Sequence, residues 1–490
     1  MTPTTVGSGI ININVTNVDG RILHPLPQNV LDDLDMALSY EVPGSYYSDL
    51  FQRGIWDGRN RLFREKTQSF PTGLLPKVRE VLDKHNIKYE YIDKRDICDL
   101  GKEIPLHMSE GDELYPFQQE AINSSVEKTR GIVRVGTGGG KSVILSGIIA
   151  KTNLSTLVLI HRKDIFYQLR DMLKFHLRTK IGSIGCGEND IQKFNIGMVA
   201  TLAKTKDNKV KEFLANVRCL IVDECHQLGA KQAYSITKMC KAAFIRIGTT
   251  ATAFRYDDRD FYLQAPTAEK IVDIGPSDLI KQGYLVPPHI FVIGISKIPD
   301  LSYMTYQECY DQGIVNNTER NEVIVEVCNY LQSKKLTVLV AITRVEHGKI
   351  LVSMLHERYP HIKSVFVHGG DEDFLRKDIL EDLRAKKLDI VIATSIYKEG
   401  IDVRSLDCLL NAKCQDSGVD SYQLIGRVLR KSEGKKFAIV VDFNDKSKYL
   451  HKHGLHRRDI YESEPEFKTY TCKDVLQFEK MAEKLIEESK

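Results

Sequence analysis

The sequence predicts an α/β protein: two parallel-sheet lobes with a small α+β accessory domain at the N-terminus. Three observations carry this. From about residue 110 to 445, apolar runs of strand length alternate with helical spacings, the pattern of parallel strands joined by crossover helices. A glycine loop, Arg134-Val135-Gly136-Thr137-Gly138-Gly139-Gly140-Lys141-Ser142, lies between a β-branched run and an apolar helical run. Polar clusters follow directly on the ends of the apolar strands, where open parallel sheets place their ligands.

A chain of 490 residues allows about two to four domains. The expected divisions are an accessory domain over 1–107, a glycine-loop lobe over 108–278, a second lobe over 279–450 and a tail over 451–490. No apolar run approaches the roughly 20 residues of a membrane span. The first residues lack a basic flank followed by an apolar core, so neither a membrane partner nor a secretory signal is expected. None of the 10 cysteines forms a C-x-x-C pair, which points to free thiols in a cytoplasm rather than to zinc or disulfides. A net charge of only +3 does not advertise nucleic acid, although a local basic groove can hide in a neutral total.

In chain order, Gly9 to Val18 reads as a strand, and Val30, Leu31, Leu34 and Leu38 give a helical face. Trp56 sits between Gly54 and Gly58, with Arg53, Arg59, Arg61, Arg64 and Lys66 close by. Cations around an aromatic suit a phosphate backbone with a stacking ring. The competing reading makes Trp56 a core anchor and the arginines a solvated face. Lys77 to Asn86 is an expected helix, residues 87 to 93 an edge strand, and 105 to 112 a linker.

Tyr115 and Gln118 open a helix shortly before the glycine loop. A glutamine amide can satisfy both N6 and N7 of adenine, and a tyrosine can stack on the ring. In the loop itself, glycines and a small threonine let successive N–H groups turn toward a phosphate chain. The following helix adds its positive end. Lys141 can reach the β- and γ-phosphates, and Ser142 can offer a hydroxyl to Mg²⁺. Val135 departs from the strict pattern, which asks for glycine there.

Residues 156–160, 196–200, 219–222 and 245–248 are further strands. They end in His161-Arg162, Thr201, Asp223-Glu224-Cys225-His226 and Thr249-Thr250-Ala251-Thr252. Asp223 suits a Mg²⁺ shell, and Glu224 can deprotonate the attacking water. The second lobe repeats the pattern at 338–342, 365–367, 390–393, 409–410 and 437–441, after a crossing at Pro287-Pro288. Gln423 to Arg430 follows there. Read as one helix, it sets Arg427 and Arg430 on a shared face, able to grip γ-phosphate oxygens when the lobes close on each other.

Together these motifs resemble superfamily 2 helicases, whose lobes are RecA-like. Gln118 matches the Q motif, Gly138 to Ser142 motif I, Leu159 to Gln168 motif Ia and Asp223 to His226 motif II. Thr250 to Thr252 matches motif III, Val340 to Arg344 motif IV, Ala393-Thr394 with Gly400-Ile401-Asp402 motif V, and Gln423 to Arg430 motif VI. His161 stands where many members carry proline. Trp56-Asp57-Gly58 and Pro71 to Leu74 further resemble the accessory domain of phage recombination helicases. The resemblance implies an ATP-dependent motor on branched DNA: forks, D-loops and four-way junctions. It implies that His226, Thr250 and Thr252 couple hydrolysis to DNA, and that Arg162, Thr201, Arg344, His368 and Thr394 hold strand phosphates. Gly400 and Asp402 would meet both DNA and nucleotide.

Of the tail, residues 451 to 458 read as a basic DNA-facing or solvated loop, because their three histidines lack a completing ligand set. Val475, Phe478, Ala482, Leu485 and Ile486 form a helical stripe expected to pack on the second lobe. The alternatives are an RNA helicase, the motor subunit of a restriction system, or a nucleotide-switched DNA clamp without turnover. An active monomer is expected.

Overall fold

A computed structural model describes residues 10–42, 44–226, 231–251, 261–295, 301, 303–394, 406–416 and 418–488. It forms two compact units. One comprises Met1–Val135 with Gly140–Asp273, the other Gly136–Gly139 with Ile274–Lys490.

The first unit begins with the accessory module. Strands β1 (Ile11–Val15), β2 (Asp19–Ile22), β3 (Ser39–Glu41), β4 (Arg59–Arg61), β5 (Ser69–Pro71) and β6 (Tyr89–Asp93) make a sheet of order β5-β2-β1-β6 and a separate β3–β4 ribbon. Alternation in β1 buries Ile11, Ile13 and Val15 against the helices Gln28–Ala37 and Leu75–Lys84, which contribute Leu34 and Val78. The module therefore has a core of its own. It is also seated on the lobe that follows. That core extends to Ala265 of the helix Phe261–Thr267, and a Cβ on Gly73 would come 1.9 Å from the Gln264 carbonyl oxygen. The Arg130 guanidinium donates to the carbonyl oxygens of Asn17 (2.8 Å) and Pro266 (3.3 Å). The chain leading into the expected linker lies along the lobe, where the Gly101 and Ile104 amides donate to the Thr152 and Ala150 carbonyls, and within the linker the His107 amide donates to the His176 carbonyl.

The lobe has β7 (Arg130–Val135), β8 (Thr156–Ile160), β9 (Ile181–Gly185), β10 (Glu188–Asp190), β11 (Phe194–Met198), β12 (Cys219–Val222), β13 (Ile245–Thr250) and β14 (Lys270–Ile274). Their order is β10-β9-β11-β8-β12-β13-β7-β14. The central strands are parallel and buried on both faces, which is why they read as unbroken apolar runs. Arg246 in β13 is fully buried. It donates to the Thr237, Cys240 and Ala243 carbonyls, at the C-terminal end of the helix Lys231–Met239, whose negative dipole end favours a cation.

The second unit has β15 (Pro288–Ile295), β16 (Val338–Ala341), β17 (Ser364–Val367), β18 (Ile390–Ala393), β19 (Cys408–Asn411), β20 (Ala438–Asp445) and β21 (Lys468–Cys472). The parallel order is β17-β18-β16-β19-β20-β15-β21. The Pro287-Pro288 crossing does bar a helix, yet a strand starts at Pro288, a position that tolerates a missing donor. The expected strand over 196–200 stops at Met198, and Val199–Leu202 turns helical.

The tail corrects the sequence reading in one respect. Residues 451–458 belong to the helix Lys448–Glu462, not to a loop. Arg457 is buried and donates to Asp442 at 2.8 and 2.9 Å, while Tyr461 donates to the same carboxylate at 2.7 Å. An ion pair inside the lobe has replaced the expected solvated charge. The stripe Val475, Phe478 and Ala482 packs into the second lobe's core as expected.

Candidate nucleotide site and nucleic-acid contacts

β7 runs through Val135, which is completely buried. The departure from the strict glycine pattern therefore falls on a core strand position, and the turn begins at Gly136. The Gly139 amide donates to the Gly136 carbonyl (3.0 Å), and Gly138 and Gly140 take φ of +94° and +78°, which only glycine adopts without strain. Gly140 caps the helix Lys141–Thr152, so Lys141 and Ser142 stand in its first turn. A Cβ on Gly140 would come 2.4 Å from the Gln118 Nε2; the glutamine amide is fitted against the loop. Gln118 is buried, and its Oε1 accepts from the Tyr115 amide (3.0 Å). That bond caps the helix Pro116–Lys128. Here the amide is turned to the loop and to its own helix, rather than offering both sides to a base. Tyr115 is exposed and stacked on Phe117.

Asp223 and Glu224 follow β12. The Asp223 Oδ1 accepts from the Thr249 hydroxyl (2.9 Å) and the Glu224 amide (3.0 Å). Glu224 is buried, has φ of +47° and is ion-paired with Lys141. A left-handed carboxylate residue at a strand end is a strained position of the sort found in active sites. Burial pushes the Glu224 carboxyl up, but the Lys141 ammonium and His226 outweigh it and hold it down to about 2. Burial and the Glu224 charge push Asp223 the other way. His226 Nδ1 lies 3.3 Å from Glu224 Oε2 and 3.3 Å from the Thr250 hydroxyl. A continuous polar chain thus runs from Lys141 to the end of β13. His161, after β8, is drawn down to about 4 by burial and by His226. Arg162 stands at the N-terminus of the helix Lys163–Leu177, and Thr201 is exposed beyond β11. Thr252 lies outside the described residues.

In the second unit, Arg344 follows β16, His368 follows β17 and Thr394 follows β18. All three stand at C-terminal strand ends. His368 Nδ1 accepts from the Gly370 amide (3.0 Å). Gly400 and Asp402 lie outside the described residues. Gln423 and Arg427 are buried on the helix Gly418–Val428. Arg430 falls beyond that helix, in an antiparallel bridge with Leu285. The shared helical face proposed for the two arginines therefore does not exist in this form: the helix stops before its second member.

In the accessory module Trp56 is half-buried, and its indole donates to the Arg59 carbonyl (2.7 Å). Arg59 donates to Ser39, and Arg61 to Asp35 and Asp57. These three hold the β3–β4 ribbon and its turn together. The sequence reading passed over their neighbours Tyr46, Tyr47, Leu50, Phe51 and Ile55, all exposed. Their signal is a run of apolar residues that the module's core leaves out.

The arrangement of glycine loop, lysine, paired strand-end carboxylates and two parallel-sheet lobes defines a nucleoside-triphosphate-driven helicase. Two family models agree: residues 112–255 match the res subunit of type III restriction enzymes, and residues 319–432 match the helicase conserved C-terminal domain. The ATP-dependent DNA helicase uvsW of Enterobacteria phage T4 is 24% identical over 489 residues, covering 89% of this chain and 94% of that protein. The putative mitochondrial ATP-dependent helicase irc3 of Schizosaccharomyces pombe is 26% identical over 361 residues, covering 69% of this chain and 59% of that one. Among solved structures, Saccharomyces cerevisiae Dbp5 bound to RNA has a TM-score of 0.55 at 13% identity, covering 77% of this chain and 94% of that one. A putative HsdR fragment from Vibrio vulnificus has 0.55 at 18%, covering 75% and 69%. These two likenesses show the fold of paired RecA-like lobes. The chain is a superfamily 2 helicase, a nucleic-acid-dependent ATPase. Within that superfamily it resembles the phage UvsW-type recombination helicases. Among the described residues no helix is long and apolar enough to cross a membrane, and no cluster of histidine, cysteine and carboxylate could hold a metal by itself.

Proposed function

We propose that this protein uses ATP to unwind or branch-migrate branched DNA, such as forks, D-loops and Holliday junctions, in recombination, repair or replication. It acts as a monomer in a cytoplasm, that of the host cell if a phage encodes it. One observation carries the branched-DNA reading. The similarity to phage T4 uvsW spans 89% of the chain, so it reaches into the accessory module, which both family models leave out.

In this reading the backbone amides from Gly136 to Gly140 cradle the phosphates, with Tyr115 and Gln118 at the base side. The Ser142 hydroxyl and Asp223 carboxylate are hard oxygen donors suited to Mg²⁺, which would supply charge neutralisation on the phosphate oxygens. Lys141 leaves Glu224 for the γ-phosphate, and Glu224, so released, orients the attacking water and takes its proton. Gln423, Arg427 and Arg430 come from the second lobe, the arginines to stabilise the transferred phosphoryl group. His226 and Thr250 relay the change to Arg162, Thr201, Arg344, His368 and Thr394, which grip backbone oxygens and so carry no sequence preference. The accessory module contributes Trp56, Arg59, Arg61 and the exposed tyrosines beside them.

Strand displacement on fork, Holliday-junction and linear substrates, in DNA and in RNA, with and without ATP, tests the reading. ATP-dependent displacement should favour branched DNA. Equal rates on linear duplex, or preference for RNA, would overturn it.

A further inference from the structure

Between β15 and the helix Thr318–Ser333 lies a segment that no motif claims. A short helix, Tyr306–Tyr310, runs directly into a π-helix, Asp311–Val315. Helical turns of this wider kind are rare and gather at functional sites. Both ends are fixed. Thr305 and Glu308 form a reciprocal capping box, and Tyr310, Ile314 and Val315 are buried in a small core with Leu301, Cys414 and Leu450. The Tyr310 hydroxyl donates to the Lys413 carbonyl (2.8 Å).

Three side chains of this segment converge on Arg344. Its guanidinium lies over the Tyr310 ring, 5.8 Å from the centroid. Its Nη2 donates to Gln307 Oε1, and its Nε lies 3.8 Å from Asp311 Oδ1. Stacking on an aromatic face fixes the plane of a guanidinium while leaving an edge for a phosphate. Asp311 has the opposite effect, because a carboxylate near that edge repels an arriving phosphate.

We propose that the π-helical segment sets the grip of Arg344 on the nucleic-acid backbone. Gln307 and Tyr310 are positioning residues that hold the guanidinium ready, and Asp311 is a counter-charge that weakens the grip so that the strand can be released. This rests on the reading of Arg344 as a phosphate contact.

The test measures anisotropy of a dye-labelled oligo-dT strand on the full chain across a salt series, with thermal midpoints as a control for folding. Arg344→Ala should make the slope of log affinity against log salt shallower by about 0.7, the value for one phosphate on a single strand. Gln307→Ala should weaken binding about threefold. Tyr310→Leu should do the same, while Tyr310→Phe, which keeps the ring, should bind as the parent does. Asp311→Asn should bind about threefold more tightly. These opposite signs separate a role in gripping from one in folding, which would weaken binding in every variant. An unchanged salt slope in Arg344→Ala would remove the phosphate contact itself. A reduced slope there, with unchanged binding in Gln307→Ala or weaker binding in Asp311→Asn, would overturn the proposal while leaving that contact in place.

Discussion

The ammonium of Lys141 is paired with the carboxylate of Glu224, so the group assigned to the phosphate and the group assigned to the water neutralise each other. In the proposed mechanism a triphosphate competes for the lysine and so frees both groups for their roles. Lys141→Ala and Glu224→Gln should each abolish DNA-stimulated ATP hydrolysis while DNA binding persists. A phosphate-release assay beside a binding titration checks this, and full turnover in Glu224→Gln would reject the assigned base.

The contact between His226 and Thr250 joins the carboxylate pair to the end of β13. His226→Ala should retain measurable ATP hydrolysis and lose strand displacement, because the polar chain to β13 is cut while the loop and Glu224 remain. Hydrolysis and displacement measured on one fork substrate give the ratio. A parallel fall in both would remove the coupling role.

Exposed Tyr47 and Ile55 can be altered without touching the module's core. Tyr47→Ala with Ile55→Ala should reduce the preference for forks over linear duplex, with no shift in melting temperature. Unchanged preference would exclude this face from the junction.

Much of this fold can be read from the chain alone, and the exceptions have physical causes. β8, β12, β13, β16 and β18 are buried on both faces and so announce themselves as apolar runs. β10 is Glu-Asn-Asp, and β21 buries only its final cysteine; neither has a pattern to detect. The strand, glycine loop and helix, and the strand-end Asp223-Glu224 pair, are legible because neighbouring residues make them. Arg430 was misplaced because the end of its helix depends on a bridge to Leu285, far away in sequence. The segment that holds Arg344 gave no signal for the same reason: Gln307, Tyr310 and Asp311 meet the arginine only in three dimensions.

The Arg457–Asp442 pair was equally invisible, since its members look like surface charges until the helix Lys448–Glu462 is folded down. Removing one partner leaves an uncompensated buried charge. Arg457→Ala should cost about 3–5 kcal/mol, read as a lower urea midpoint with an unchanged slope.

Acid should loosen the second unit. His347 is fully buried against Asn321, and burial followed by the Arg320 charge draws it down to about 3. The folded state holds it neutral, whereas the unfolded chain protonates it below the ordinary histidine value. Its contribution is therefore whole above roughly pH 6.5. It falls by about 1.4 kcal/mol per pH unit below that, until the folded group also titrates. His347→Gln should flatten the fall in urea stability between pH 6.5 and 4; an identical fall would clear this residue.

Gly73 leaves no room for even a methyl group against the Gln264 carbonyl. The accessory module is thus packed at Gly73 against the backbone of the helix Phe261–Thr267, and whatever it touches would be carried along with the glycine-loop lobe. If the proposed function holds, a DNA arm resting on that module would advance or rotate by the same displacement as the lobe beneath it.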